Sequence, residues 1–287
     1  MRILCLVLLI LSPAYGFAEE LESRSQLSEL LSEENDDGFA KALTVRDFSF
    51  PKDHGPHPEF RNEWWYITGN LDGPAGQRFG FEITIFRFSL KPAPPVADSS
   101  WRTHQVYIAH LAVTDADEDR FYVAERISRG ALGLAGARAE PFGVWIDDWE
   151  IANDTGGLPW RVRATDEEVA LDLELTPLRQ PVLNGDRGLS RKSSSVENAS
   201  YYYSITRLRT EGTLSIAGNE YRVSGLSWLD REWSTSALAG DQVGWDWFAL
   251  HLSDGSYLMI YNIRKSDGAA DENSSVTLST GNGEAVK

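Results

Sequence analysis

Cysteine is all but missing from this chain: 1 residue in 287, Cys5. It lies inside an N-terminal apolar stretch, so the remainder can form no disulfide. Positive charge is scarce too, with 27 Lys and Arg against 43 Asp and Glu and a net charge of −16. A chain this acidic, with no basic cluster, is repelled by nucleic acid and by anionic headgroups, and no nucleic-acid partner is expected. Histidine is limited to 5 residues. His54 and His57 have ligand-like spacing, but no third ligand follows at a recognisable distance, and no metal is expected. A Gly-x-Ser-x-Gly nucleophile elbow is absent, as is a glycine-rich phosphate loop. No cofactor is expected.

The first residues carry a pattern of their own. Arg2 precedes an apolar run over Ile3–Leu11, Pro13 breaks it, and Ala14, Gly16 and Ala18 follow. Charge, short apolar core and small residues make a secretory signal peptide, with cleavage after Gly16 or, preferred, after Ala18. The run falls short of the ~20 residues that span a bilayer. The expected protein is exported, periplasmic or secreted. Export usually permits disulfides, so a mature chain without cysteine must hold its fold by apolar burial. Residues 19–46 are acidic and Ser-rich, with a possible short helix over Ser25–Glu33, and read as an exposed leader.

Beyond them, short runs of Tyr, Phe, Trp, Ile, Val and Thr alternate with Gly, Asp, Pro and Asn. Strands are expected over Trp64–Leu71, Phe79–Leu90, Gln105–Thr114, Phe121–Ser128, Gly143–Ile151, Trp160–Ala164 and Val169–Thr176. After a Gly-, Ser- and Asn-rich break, others are expected over Tyr201–Leu208, Gly212–Ile216, Tyr221–Leu229, Val243–Leu252 and Tyr257–Arg264. Close spacing, turn residues and no repeated helical period indicate an antiparallel all-β protein, barrel or sandwich. The break suggests a first β domain over residues 47–180, a connection over 181–199 and a second β domain over 200–287. The second series is short. Either it completes the sheets of the first domain, or the chain lacks its natural C-terminus, which is the reading favoured here because an unpaired edge is a liability.

Tryptophan is abundant, 10 residues in all. Trp64-Trp65-Tyr66, Tyr201-Tyr202-Tyr203 and Trp245-Asp246-Trp247 put rings on both faces of their strands. One face must meet a core. The other is core-like packing or the lining of a cleft for an elongated apolar ligand. Asp230, Arg231 and Glu232 interrupt an aromatic strand end between Trp228 and Trp233. A carboxyl desolvated among rings is raised in pKa and becomes a general acid near neutral pH; an Asp–Arg pair sealing a barrel end is the alternative. Asp246 is a second carboxyl of this kind, which also admits a glycosidase-type pair. His110, within a strand, reads as a hydrogen-bonded core residue or a catalyst.

The block from His54 to Leu71 resembles the opening of the AttH-like family, which groups with carotenoid 1,2-hydratase (hydroxyneurosporene synthase) and is often described as a predicted secreted hydrolase. Phe86-Arg87, Ser128–Gly130, Gly185–Lys192, Asn198–Tyr203 and above all Ser227–Leu238 continuing into Gln242–Phe248 carry the same likeness. It implies two lipocalin-like β-barrels packed together, the second incomplete in this chain, with a ligand cleft at their junction. It also implies an acidic residue that protonates an isoprenoid C=C bond. Asp230 is the matching carboxylate, and Arg231 stands where the hydratase block has His. The resemblance thus points to Asp230 as acid; for such a reaction Tyr66 and His110 are the groups expected to orient water, and Asp246 is the further carboxyl read from the sequence. Trp64, Trp65, Tyr202, Trp228, Trp233, Trp245 and Trp247 are the expected ligand-binding rings. The expected ligand is a hydrophobic small molecule or lipid. A non-enzymatic lipid carrier serving ABC-type membrane transporter components is the other reading.

Overall fold

The computed structural model describes residues 38–92, 99–153, 158–236, 238–280 and 285–286. The expected signal peptide and the helix over Ser25–Glu33 lie outside them. The end of the expected leader is not free of the fold: Ala42 is buried, and the Tyr201 hydroxyl donates to the Thr44 carbonyl at 2.8 Å.

Strands β1 (Asn62–Asp72), β2 (Arg78–Ser89), β3 (Gln105–Asp115) and β4 (Arg120–Arg129) form a meander. It is followed by β5 (Ala135–Arg138), β6 (Gly143–Ile146), β7 (Trp149–Ala152), β8 (Trp160–Thr165) and β9 (Val169–Pro177). Two short strands, β10 (Val182–Leu183) and β11 (Leu189–Arg191), precede the long pair β12 (Ala199–Ile216) and β13 (Asn219–Ser234). All join one antiparallel sheet in the order β4-β3-β2-β1-β13-β12-β9-β8-β7-β6-β5, with β10 and β11 beside β12. The sheet curls into a nearly closed barrel, bringing β5 and β6 across the core from β2, β3 and β4. Strands β14 (Gln242–His251), β15 (Tyr257–Lys265), β16 (Ser275–Ser279) and β17 (Ala285–Val286) form a second, smaller sheet. Among the described residues the protein is all-β apart from one turn of 3-10 helix at Lys52–His54.

Three local differences from the sequence expectation have physical causes. The single strand expected over Gly143–Ile151 is a hairpin, because Ile146 pairs Trp149 and Asp147 takes a φ of 53°. The two strands expected over 201–216 are one, since β12 stays paired to β13 across a bulge between Ile205 and Leu208. Its turn is Ala217-Gly218, both at positive φ (49° and 80°), the geometry that suits a two-residue hairpin. The third difference concerns sheet membership. β12 and β13, which follow the expected connection at 181–199, insert between β1 and β9 and complete the first sheet.

Alternation explains how the site is placed. The N-terminal part of β13, up to Leu226, is exposed or half-exposed except at Val223, but every residue from Ser227 to Ser234 is buried. The same holds for Ala199–Thr206 of β12. Here both faces are covered. The inner face packs into the barrel core with Trp65, Tyr203, Leu229 and Trp233. The outer face meets the second sheet, where Tyr202 and Trp228 pack with Tyr257, Met259, Tyr261 and Ile263.

Candidate functional site: a carboxyl-bearing cavity between the two sheets

Cross-strand register lines up one polar row on the outer face of the barrel. Glu125 on β4 pairs His110 on β3, His110 pairs Thr84 on β2, and Thr84 pairs Tyr66 on β1. Tyr66 in turn pairs Asp230 on β13, which pairs Ser204 on β12. Neighbouring strands are ~4.8 Å apart, so these side chains form a continuous band. The second sheet roofs it and leaves a cavity of about 520 Å³. Trp64, Phe86, Trp245, Trp247 and Tyr261 supply its aromatic walls, and Tyr66, Glu82, Lys192, Asp230 and Glu232 its polar points. A second space of about 520 Å³ adjoins it, sharing Glu82, Ala112, Phe121 and Trp247.

Asp230 is 4% exposed. Burial pushes its carboxyl up to about 6, against the donors around it. Those donors are the Ser204 hydroxyl, the Trp228 Nε1–H at 2.7 Å and the Tyr202 hydroxyl at 2.8 Å. Glu82 is pushed further, to about 7, again by burial. Among the described residues its only hydrogen-bond donor is the Thr84 hydroxyl. Tyr66 projects between the two acids: burial, then Glu82 and Asp230, hold its hydroxyl far above the usual range. Lys192 closes another wall. Its Nζ is 2.8 Å from Glu232 Oε1 and lies 4.5 Å from the centre of the Tyr261 ring. Burial alone would lower its pKa, but the Glu232 carboxylate beside it outweighs that.

Of the residues expected from sequence, Asp230, Tyr66, His110, Trp64, Tyr202, Trp245 and Trp247 come together around this cavity. Trp64 and Trp245 stack across it, ring centres 6.4 Å apart, and Tyr66 meets Trp247 edge-on at 5.2 Å. His110 is half-exposed and its Nε2 lies 2.9 Å from Glu125, so it belongs to the cavity wall and not to the core. Trp228 is buried beneath Trp247 and Tyr257 and serves the site through its bond to Asp230.

Three expected residues are elsewhere, and each placement is a correction. Trp65 and Trp233 are fully buried on the inner face. Trp65 Nε1 donates to the His54 carbonyl at 2.9 Å, and Trp233 stacks on His57 at 3.7 Å; they build the barrel and cannot reach a ligand in the cavity. Asp246 falls on the face of β14 opposite Trp245 and Trp247, with the Asn262 amide and Arg264 as neighbours, and it lines neither space. The two carboxyls Asp230 and Asp246 therefore share no site. His54 and His57 face different partners, the Tyr203 hydroxyl at 2.6 Å for one, Asp53 and Glu63 for the other. Among the described residues no cluster of His, Cys, Asp or Glu is placed to hold a metal ion.

Sequence reasoning passed over Glu82, Thr84, Lys192 and Tyr261. The signal for Glu82 was present: Phe79, Phe81, Ile83 and Ile85 alternate toward the core, so Glu82 and Thr84 must share the other face. An outward Glu is ordinary until something covers it.

Fold and site together define an all-β protein with an aromatic, acid-bearing cavity between a barrel and a second sheet. The chain belongs to the AttH-like family, whose model matches residues 41–287. It is similar to a crystal structure of an AttH from Nitrosomonas europaea, at 36% identity and a TM-score of 0.78, covering 86% of this chain and 74% of that one. The crystal structure of kievitone hydratase from Nectria haematococca shares the fold, with a TM-score of 0.61 at 12% identity over 89% and 72% of the chains. In sequence, kievitone hydratase of Fusarium solani subsp. phaseoli is 26% identical over 101 residues. That match spans 34% of this chain and only 27% of the hydratase.

Proposed function

We propose that the cavity is the active site of a cofactor-free, hydratase-like enzyme that adds water to a C=C bond of a hydrophobic, isoprenoid-like substrate. The observation that carries this reading is Asp230: a carboxyl buried in an aromatic cavity and brought into the range where it can exchange a proton near neutral pH. Protonating an alkene leaves a carbocation. The faces of Trp64, Trp245 and Trp247 would stabilise it, by about 0.5–2 kcal/mol per contact. Tyr66 and His110 are placed on the wall to orient water. The family and the kievitone hydratase likeness support the reaction class. An envelope setting is part of the same reading and rests on Arg2 and the Ile3–Leu11 run; mature protein from a periplasmic extract should begin at Glu19.

The test is incubation of purified protein with kievitone and with farnesol in isotopically labelled water, followed by mass spectrometry. A product heavier by one labelled water, formed by the wild type and roughly 100-fold or more slowly by Asp230→Asn, is the expected result. Undiminished turnover by Asp230→Asn removes Asp230 as a proton-handling group. Native mass spectrometry of the protein after mild extraction addresses the carrier reading: a lipid that co-purifies and is recovered unchanged, with no hydration of either probe, favours delivery over catalysis.

A further inference from the structure

The polar points of the cavity are not equivalent. Asp230 receives three donors, divided between both of its oxygens. A carboxylate accepts all three at once, whereas a protonated carboxyl gives up one acceptor site and makes the Ser204 or Tyr202 hydroxyl turn round to accept from it. Glu82 is the reverse case. It has one donor, Thr84, and among the described residues no ion-pair partner, and it opens on both spaces of the cleft. The groups facing it are Tyr66 from β1, His110 from β3, Asp230 and Glu232 from β13 and Tyr261 from β15, with His251 of β14 on the adjoining wall. The one nearby ammonium, Lys192, is engaged by Glu232.

We infer that Glu82 is a second catalytic carboxyl, the one that gives up the proton that starts the reaction, while Asp230 receives the proton that ends it. This rests on the hydratase-like reading. Register supports the division. Glu82 pairs Thr68 and Asp230 pairs Tyr66, so the two acids stand on strands either side of β1, one side-chain step out of line. Two strand spacings and a two-residue offset separate their backbones by roughly 12 Å, room for an alkene and a water with the Tyr66 hydroxyl between. The Glu82 O–H bond breaks as the alkene π pair takes its proton, forming C–H and leaving a carbocation and a Glu82 carboxylate. A lone pair of water then forms the C–O bond, and the water's spare proton passes to Asp230. Return of that proton to Glu82, through Tyr66 or solvent, restores the site. The net change is alkene plus water to alcohol.

Infrared spectroscopy of the whole protein at near-neutral pH tests where the proton resides, with no substrate needed. The C=O stretch of a protonated carboxyl should be present in the wild type, lost in Glu82→Gln and kept in Asp230→Asn. Thr84→Val removes the one donor that favours ionised Glu82, so the band should persist to higher pH. A band that survives Glu82→Gln overturns the assignment, whatever the activity. Farnesol in labelled water supplies the second arm: if the wild type hydrates it, Glu82→Gln should lose about 100-fold or more, and an unchanged rate overturns the proposal. If the wild type hydrates neither farnesol nor kievitone, the hydratase-like reading is what fails, and the infrared band still decides whether Glu82 holds the proton.

Discussion

Asp230 and Arg231 are consecutive residues of β13 that serve opposite faces of the sheet. Asp230 faces the cavity. The Arg231 guanidinium lies inside the barrel, 3.9 Å from the centre of the Trp65 ring, and its ion-pair partner is Glu63, not Asp230. A charged cluster does seal the barrel end, but it is Glu63, Arg87, Arg231 and His57, all buried. Arg231 is thus a structural arginine, held inside the barrel and turned away from the cavity.

That cluster should dominate stability at the barrel end. Arg231 also donates to the carbonyls of Gly55 at 2.6 Å and Trp64 at 3.3 Å, which ties the segment before β1 to β13. Glu63→Gln leaves two guanidiniums in a dry interior without their counter-charge and should cost about 3–5 kcal/mol in urea unfolding at neutral pH. Burial alone would raise the Glu63 carboxyl, but Arg87 and Arg231 outweigh it and hold the group well below 4.5. A group depressed on folding stabilises the protein above its unfolded value and loses that contribution as acid protonates it. The gap between wild type and Glu63→Gln should therefore close steadily below pH ~4.5. A gap independent of pH would assign the loss to packing.

The aromatic residues should divide into two classes that sequence could not separate. Trp65→Ala empties a fully buried place in the barrel and should cost about 3–5 kcal/mol. Trp245, 36% exposed, stacks over Trp64 at the cavity wall. Trp245→Ala should leave the unfolding free energy within about 0.5 kcal/mol and weaken binding of a hydrophobic fluorescent probe about tenfold. Equal loss of stability in the two variants would contradict the inner and outer assignment.

How much could be read beforehand follows the physics of a strand. Period-2 alternation and turn residues located most of β1, β2, β3, β4, β8, β9, β14 and β15, because those signals are local. They could not tell which of the two faces of Trp64-Trp65-Tyr66 looks inward, since both faces are covered. Asp230 was legible because a carboxyl among tryptophans is unusual. Glu82 was not, because its environment is made by β14 and β15, more than 150 residues away in the chain. The expected division at 181–199 drew on loop-like composition, while the register of β12 against β9 is a tertiary fact that composition does not carry.

Activity, once a substrate is in hand, should fall on both sides of neutrality. The reaction proposed above needs one cavity carboxyl protonated and the other ionised, and burial raises Asp230 to about 6 and Glu82 to about 7. The rate should pass through a maximum near those values, the two limbs belonging to the coupled pair and not to either residue. Thr84→Val should move the alkaline limb to higher pH, because Thr84 is what opposes the rise of Glu82. A limb that stays in place would separate Glu82 from the rate.

Holding a buried and a half-buried acid in an apolar cavity should also cost stability, and the cost has a definite pH dependence. The Glu82 carboxyl is raised on folding, from 4.5 to about 7. Below pH ~4.5 it is protonated in both states and the folded protein bears no charge there. As pH rises through that window the unfolded chain ionises freely, the folded one only against its surroundings, and stability falls; above pH ~7 the loss is complete. Glu82→Gln removes the titration and keeps the shape. It should match the wild type within about 0.5 kcal/mol at pH 4 and exceed it on the order of 1–3 kcal/mol at pH 8. That range follows because a tenfold change in proton affinity is worth roughly 1.4 kcal/mol, and water reaching the cavity reduces the penalty. Urea unfolding at the two pH values measures this directly. A variant no more stable than wild type at pH 8 would mean that Glu82 ionises there without penalty, and that the cavity is wetter than its aromatic walls imply.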